Sequence, residues 1–513
     1  MNRRRMLILF LLGLAVVTAV GLLQRTPGYM DAAYYQATAQ MLAEGKGFTE
    51  PFIWTYFGDP AGIPHPSHLY WMPLPSLLAA GSMIVLGLTW RAAQLPFLLL
   101  GALLPVITAA VAETFTSDER MVWTSGLLAL FPGFFLPYLG TTDSFALYAL
   151  LGSVLLLILS PERVSSRRLV LAGLLIACAH LTRADGLLFF LPAIAAILTG
   201  KHRRISGLVA LILGYVAGMT PWWIRNLMTI GSLMPETSYA FWLTTYDDLF
   251  AFPASRITLQ AWLESGWRAI LEARMDALLV NGQRVIAEVG MVFLLPFTLI
   301  GGWQWRRQRI VWLGGLYFAG LFALMTLVFP FAGANGGLFH SSAAVLPLTM
   351  ALTPYGIRSA VAWLSRRRHW TGDEAERVFL AASVVILAAL TVWNADRRIG
   401  FTPPGSAWSQ SDEEYDRYAS AVAGEHLPGI GAINNPPGYF VAGGQSTVVI
   451  PNGNQNVLRN VVEAYGVEWV LLEPNHPRGL HELYQNPESV SWLDLRVTLR
   501  DSMERPVYLY VVE

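Results

Sequence analysis

The sequence predicts an α-helical polytopic membrane protein with a small α/β domain at its C-terminal end. Three observations predict it. Of 513 residues, 54% are hydrophobic and 14% charged, whereas soluble domains carry roughly 25% charge. Apolar stretches recur between clusters of arginine and lysine as far as residue 394. Beyond residue 395 charge, Pro, Gly and Asn rise together. The expected division is therefore a membrane domain over 1–394, with long outer segments at 24–73 and 227–288, and an extracytoplasmic domain over 395–513.

The formal net charge is +0, so no global field draws in nucleic acid. The single cysteine, Cys178, lies in an apolar stretch and excludes an intrachain disulfide. Arg3-Arg4-Arg5 followed by the apolar run 7–23 has the outline of a signal peptide. No small-residue cleavage site follows, so the run reads as an uncleaved first span.

Basic clusters mark the cytoplasmic side. They are Arg3–Arg5; Arg163, Arg167 and Arg168; Lys201, Arg203 and Arg204; Arg306, Arg307 and Arg309; and Arg366–Arg368. An even number of crossings must separate any two. Five apolar stretches lie between the first two clusters: 7–23, 74–88, 93–112, 121–139 and 144–159. The 74–88 stretch falls short of the roughly 20 residues a span needs. It carries Pro75 and Gly81 and is assigned to a re-entrant or interfacial helix. The remaining spans are expected near 169–183, 186–199, 205–223, 289–304, 310–329, 341–358 and 377–394. The total is about eleven crossings. The N-terminus is then cytoplasmic and the C-terminal domain outside a cell membrane.

This parity gathers the polar residues that interrupt apolar stretches on the outer face. Asp31 and Tyr35 follow the first span, where a carboxylate can accept a proton at the lipid–water boundary. Pro64-His65-Pro66-Ser67-His68 reads first as a rigid turn, with substrate contact open to either histidine and no third metal ligand nearby. Asp143, in Thr141-Thr142-Asp143-Ser144, is equally an N-cap or a catalytic acid. Arg183 and Asp185 sit at a turn where they can pair with each other or meet a phosphate. Arg225 ends a span behind Trp222 and Trp223, where it can snorkel or bind a lipid-linked phosphate. A stripe from Leu263 to Leu279 at helical spacing predicts an amphipathic surface helix. The glycine-rich stretch Gly333–Gly337 leads to His340 at the mouth of a late span. In the last domain, strands are expected at 431–435, 446–450, 467–472 and 507–512, with a helix at 454–465. It carries no P-loop, glycine fingerprint or nucleophile elbow.

Taken together, Asp31-Ala32-Ala33-Tyr34-Tyr35, Trp71-Met72-Pro73-Leu74-Pro75, Asp143, Thr182-Arg183-Ala184-Asp185-Gly186, Pro221-Trp222-Trp223-Ile224-Arg225-Asn226 and His340-Ser341 resemble the motifs of the GT-C superfamily. These are polyprenyl-phosphate-dependent glycosyltransferases, and the likeness is to the branch of protein O-mannosyltransferases and lipid A aminoarabinose transferases. It covers roughly residues 1–358. Many relatives place a second acid beside the first, and here that position is Ala32.

The resemblance implies an inverting transfer of a sugar from a polyprenyl-phosphate donor to a hydroxyl of a glycan, lipid or protein acceptor. Asp31 would be the base, and Asp143 would orient the acceptor or His340. Tyr35, His65, His68, Arg183, Asp185, Arg225 and His340 would contact substrate. No metal ligand set is evident, and a divalent cation stays an open possibility. The competing class is a lipid or sugar transporter or flippase, which needs polar residues along a path through the bilayer. A third is a scaffold presenting the C-terminal domain, which does not require Asp31, Asp143 and Arg225 to share a cavity.

Overall fold

The computed structural model describes residues 3–201, 204–235, 238–401 and 408–513. Arg203 of the third basic cluster lies outside the described residues. Helices dominate as far as Ile399, and their lengths follow the apolar runs. Among the described residues, five are long and apolar enough to cross a bilayer: Arg3–Leu23, Trp90–Glu113, Arg204–Ile230, Arg309–Val328 and Gly372–Ile399. A sixth is the pair Glu119–Leu130 and Gly133–Leu139, bent by 43°. The bend falls at Pro132, which cannot continue the helical ladder. Thr391 repairs the break, donating to Phe131 O and accepting from Gly133 N, both at 3.0 Å.

Leu74–Leu86, Phe145–Leu159 and Ala184–Thr199 are shorter apolar helices. The first is the stretch assigned above to a re-entrant or interfacial helix. The expected total of about eleven is not reached by length and composition. Where 289–304 was expected to span, only Leu295–Gln304 is a ten-residue helix. The backbone before it turns left-handed at Met291 (φ 46°) and Val292 (φ 61°), which breaks the segment. The expected span at 169–183 lies in Ser166–Thr182, which has 17 residues. That helix packs against Arg204–Ile230 with almost no gap. A Cβ on Gly173 would stand 2.1 Å from Leu211 O, and one on Gly214 2.0 Å from Val170 O. Small residues permit this backbone approach, as in membrane helix pairs generally.

Ion pairs collect at one end of the bundle. Arg5 meets Glu113 at 2.9 Å, Arg358 meets Asp118 at 2.5 Å and Glu376 at 2.9 Å, and Arg120 meets Asp373 at 2.9 Å. They tie the ends of four helices to the middle of a fifth, Leu346–Arg368, which carries Arg358. Asp31 lies past the opposite end of the first helix, about 30 Å away along 21 residues at 1.5 Å each.

The C-terminal region forms a five-stranded sheet in the order Thr447–Val449, Ile430–Ile433, Val467–Leu472, Pro506–Val512, Leu493–Arg500. The first three strands run parallel and the last two join antiparallel. The expected helix is Gln455–Tyr465. The strand Leu493–Arg500 was not expected, although Leu493, Leu495, Val497 and Leu499 alternate with polar residues at the two-residue period of a strand. The sheet shares its core with the outer segments. Ile53 bridges to Val448 and Ala251 to Asn452, and Tyr56 and Leu249 pack with Val448 and Val470. Residues 49–70 are thus held between the helices and the sheet.

Candidate active site

Asp31 stands in the first turn of the helix Met30–Ala43, just past the end of the first span. Asp143 precedes Phe145–Leu159, and His340 lies in the short helix Leu338–Ser342. The fold brings the three together: His340 Nε2 is 2.9 Å from Asp143 Oδ2 and 3.6 Å from Asp31 Oδ2. One ligand-type atom from each lies within 4.8 Å of the others.

The two carboxylates are held differently. Asp143 is 1% exposed and fully engaged. Its Oδ1 accepts the Ser144 amide at 2.5 Å, and its Oδ2 accepts the Tyr29 hydroxyl at 2.9 Å as well as His340. It therefore holds the adjoining turn with one oxygen and the site with the other; the N-cap of the helix is Ser144, which has no side-chain cap bond. Burial works against its charge, but His340 and the Ser144 amide prevail and hold its carboxyl at about 2. Asp31 has only the longer contact to His340 and a side chain 29% exposed. Burial and the neighbouring Asp143 charge push its carboxyl up to about 6, against the pull of His340 and Arg183. One acid is an anchored anion and the other is poised to exchange a proton near neutrality. Diverging pairs of this kind mark acid–base chemistry.

The orientation of His340 follows from its other nitrogen. Gly336 O lies 2.8 Å from Nδ1, and a carbonyl can only accept, so Nδ1 carries hydrogen. Nε2 faces the Asp143 carboxylate, which also only accepts. The ring is therefore an imidazolium bridging a carbonyl and a carboxylate, unless a cation takes the place of the Nε2 proton. Gly336 presents that carbonyl from φ +118°, a conformation closed to side-chain-bearing residues. Phe145 stacks on the ring at 4.3 Å between centroids.

Arg183 completes the cluster. Its Nε donates to Asp185 Oδ1 at 3.2 Å and to Ser341 Oγ at 2.8 Å, while Ser341 Oγ also bonds Asp185 Oδ2. The pairing expected at this turn therefore forms, with Ser341 as third member. It uses one edge of the guanidinium. Nη1 and Nη2 have no hydrogen-bond partner among the described residues, and the side chain keeps 17% exposure. Such a free fork suits a phosphate. Tyr35 is buried within electrostatic reach of Asp143, Arg183, Asp31 and Asp185.

Other expected site residues lie elsewhere. Arg225 Nη2 donates to Phe48 O at 3.0 Å and Ser67 O at 2.8 Å, and its guanidinium sits 4.7 Å from the Trp222 ring. These contacts clamp the outer segment to the helix Arg204–Ile230. His68 is fully buried in a tight turn at φ +62°, its amide donating to Tyr34 Oη at 2.7 Å. Burial and Arg225 pull it down to about 3, which keeps the ring neutral. His65 pairs with Glu50 at 2.8 Å, away from the carboxylate cluster. Neither histidine joins Asp31, Asp143 or His340 by a hydrogen bond or ion pair among the described residues. Sequence reasoning missed Tyr29 and Ser341 as site members. Both flank residues it did select, and their neutral hydroxyls carry no signal until their partners are in place.

No family model matches the sequence, and no curated protein does. Solved structures do. ArnT from Cupriavidus metallidurans bound to undecaprenyl phosphate superposes with a TM-score of 0.57 at 12% identity, over 98% of this chain and 97% of that one. The same protein in the apo state gives 0.51 at 12% identity, over 97% of each. The Archaeoglobus fulgidus oligosaccharyltransferase, tethered by a disulfide bond to an acceptor peptide containing the NVT sequon, gives 0.53 at 11% identity, over 99% of this chain and 74% of that one. At this identity the likeness is one of architecture: the chain is a helical polytopic membrane protein that shares its fold with ArnT and the archaeal oligosaccharyltransferase.

Proposed function

We propose that the protein is a membrane glycosyltransferase that moves a sugar from a polyprenyl-phosphate donor to an acceptor hydroxyl on the outer face of the cell membrane. The observation that carries this reading is the meeting of Asp31, Asp143, His340 and Arg183 at one end of the helix bundle. A transporter would spread such groups along a path through the bilayer. The fold shared with ArnT, whose structure holds undecaprenyl phosphate, supports a lipid-phosphate donor.

Asp31 takes the proton from the acceptor hydroxyl as its oxygen attacks the anomeric carbon. The bond from that carbon to the phosphate oxygen breaks, and prenyl phosphate leaves with the electron pair. A single displacement inverts the anomeric centre. The free edge of Arg183 receives the charge gathering on the leaving phosphate, with Asp185 and Ser341 fixing the guanidinium. Asp143 holds His340 against the site, where its positive charge faces both the donor and Asp31. The prenyl tail stays in lipid, which accounts for chemistry at the membrane boundary.

Two carboxylates and an imidazole could also hold a divalent cation. A cation there would supply Lewis-acid stabilisation of the phosphate, and no step above depends on it. The N-terminus is cytoplasmic in this reading, and residues 395–513 form an extracytoplasmic accessory domain. The test is to incubate the purified protein with a panel of prenyl-phosphate hexoses and pentoses and follow released prenyl phosphate. Release by the native chain and none by Asp31→Asn is expected. Equal release by both removes Asp31 from the mechanism, and no release from any donor removes the reading.

A further inference from the structure

A second polar pair lies outside the carboxylate cluster. Glu50 and His65 face each other across a two-residue antiparallel bridge, with His65 Nε2 2.8 Å from Glu50 Oε1 and 3.0 Å from Phe52 O. Among the described residues, Glu50 Oε2 and His65 Nδ1 are buried without a direct hydrogen-bond partner, although the Tyr34 phenol neighbours the Glu50 carboxylate. Glu50 is 3% exposed. A buried carboxylate oxygen without a donor is costly and calls for an occupant.

Both residues line a cavity of about 660 Å³, within the roughly 300–1,000 Å³ usual for small-molecule sites. Trp54, Phe57, Tyr70 and Phe241 supply aromatic walls, and Ser232 lies at its border. Trp54 is held rigid by stacking on Trp71 at 3.9 Å. Tyr34 also lines the cavity and stands three residues after Asp31 on the helix Met30–Ala43, one turn along the same face, so the cavity adjoins the carboxylate cluster.

The chemistry selects one ligand class. Aromatic walls accept the C–H faces of a saturated ring. The Glu50 oxygen accepts a hydroxyl hydrogen, and the Nδ1–H of a His65 protonated beside Glu50 donates to a hydroxyl oxygen. A cationic ligand is disfavoured because His65 already balances the Glu50 charge; burial lowers the basicity of His65, and Glu50 raises it on balance. We infer that this cavity binds a neutral sugar ring of the acceptor, gripped by Glu50 and His65 between aromatic side chains, with its reacting hydroxyl extended past Tyr34 towards Asp31. The inference rests on the transferase reading for its role, but its test uses no donor and stands apart from turnover.

The experiment is saturation-transfer NMR on the full chain in lipid nanodiscs. The probes are methyl α-mannoside, methyl β-glucoside and methyl β-galactoside, with tetramethylammonium as the cationic comparison. At least one glycoside should receive saturation and tetramethylammonium should not. Affinity should fall by about tenfold or more in Glu50→Gln, which loses a charge-assisted acceptor at constant shape. It should also fall in Ser232→Trp, which fills the cavity and leaves the pair intact. A Glu50→Gln protein with native melting and undiminished glycoside binding overturns the inference. So does saturation of tetramethylammonium alone, or of no probe. Glycoside binding without turnover of any donor would retain this site and remove only the transferase reading.

Discussion

The unequal anchoring of the two site carboxylates predicts opposite outcomes for Asp31→Asn and Asp143→Asn. Asp143 accepts three hydrogen bonds, from Tyr29, Ser144 and His340. An amide cannot reproduce them: with its oxygen towards the Ser144 amide, its NH₂ faces two donors. Removing one member of a buried ionic pair leaves the other uncompensated, so Asp143→Asn should destabilise by about 3–5 kcal/mol. Asp31 behaves in the reverse sense. Its carboxyl is raised from 3.8 to about 6, so the folded state holds the proton more tightly than the unfolded state. The associated stability is present in full below the unfolded value and is lost as pH rises through 6. Asn carries no such loss, and at about 1.4 kcal/mol per pH unit the gain over native is at most about 3 kcal/mol at pH 7.5. Turnover should nevertheless fall by about 10²–10⁴-fold, the usual contribution of a positioned base. Melting of both variants and the native chain in nanodiscs at pH 5 and 7.5, alongside prenyl phosphate release, reads all of this. Asp31→Asn should melt at or above native at pH 7.5, with the difference shrinking at pH 5. Lower melting of Asp31→Asn together with native-like melting of Asp143→Asn would refute the assignment of anchor and base.

Further expectations come from the same geometry. Turnover in the native chain should rise with pH through a midpoint near 6, because Asp31 works only when ionised, and a profile flat from pH 5 to 8 would contradict it. Arg183→Gln should abolish donor turnover and also lower melting, since it leaves Asp185 without its cation; Arg183→Lys should restore melting more than activity, because an ammonium lacks the guanidinium fork. Gly336→Ala should cost about 1–3 kcal/mol for a side chain at φ +118° and weaken activity by releasing His340, read as a lower melting temperature with reduced turnover. Exhaustive chelation with EDTA should leave turnover within about twofold of the untreated protein, since His340 and Asp143 already satisfy each other at 2.9 Å; a loss restored by Mg²⁺ or Mn²⁺ would place a cation there instead.

Helices and their order could be read from the sequence because burial in lipid leaves an unbroken apolar record, as in 7–23 and 377–394. Asp31, Asp143, Arg183, Asp185 and His340 stood out for the same reason, each being a polar interruption at the end of such a run. What the one-dimensional record lacked was direction. Arg225 and His68 carry the same residue types at similar places, yet backbone carbonyls and packing hold them as clamps, and only contacts from distant segments make that difference. The helix expected over 289–304 is interrupted because left-handed backbone at Met291 and Val292 leaves no trace in hydropathy. The sequence by itself determined a helical membrane protein with ionisable groups at the ends of its apolar runs, since hydrophobicity and charge are local properties. The tertiary structure alone decided that Asp143 is anchored while Asp31 is free, and that Glu50 and His65 share a cavity. Proton affinity and ligand fit depend on the field and the space made by residues more than a hundred positions apart.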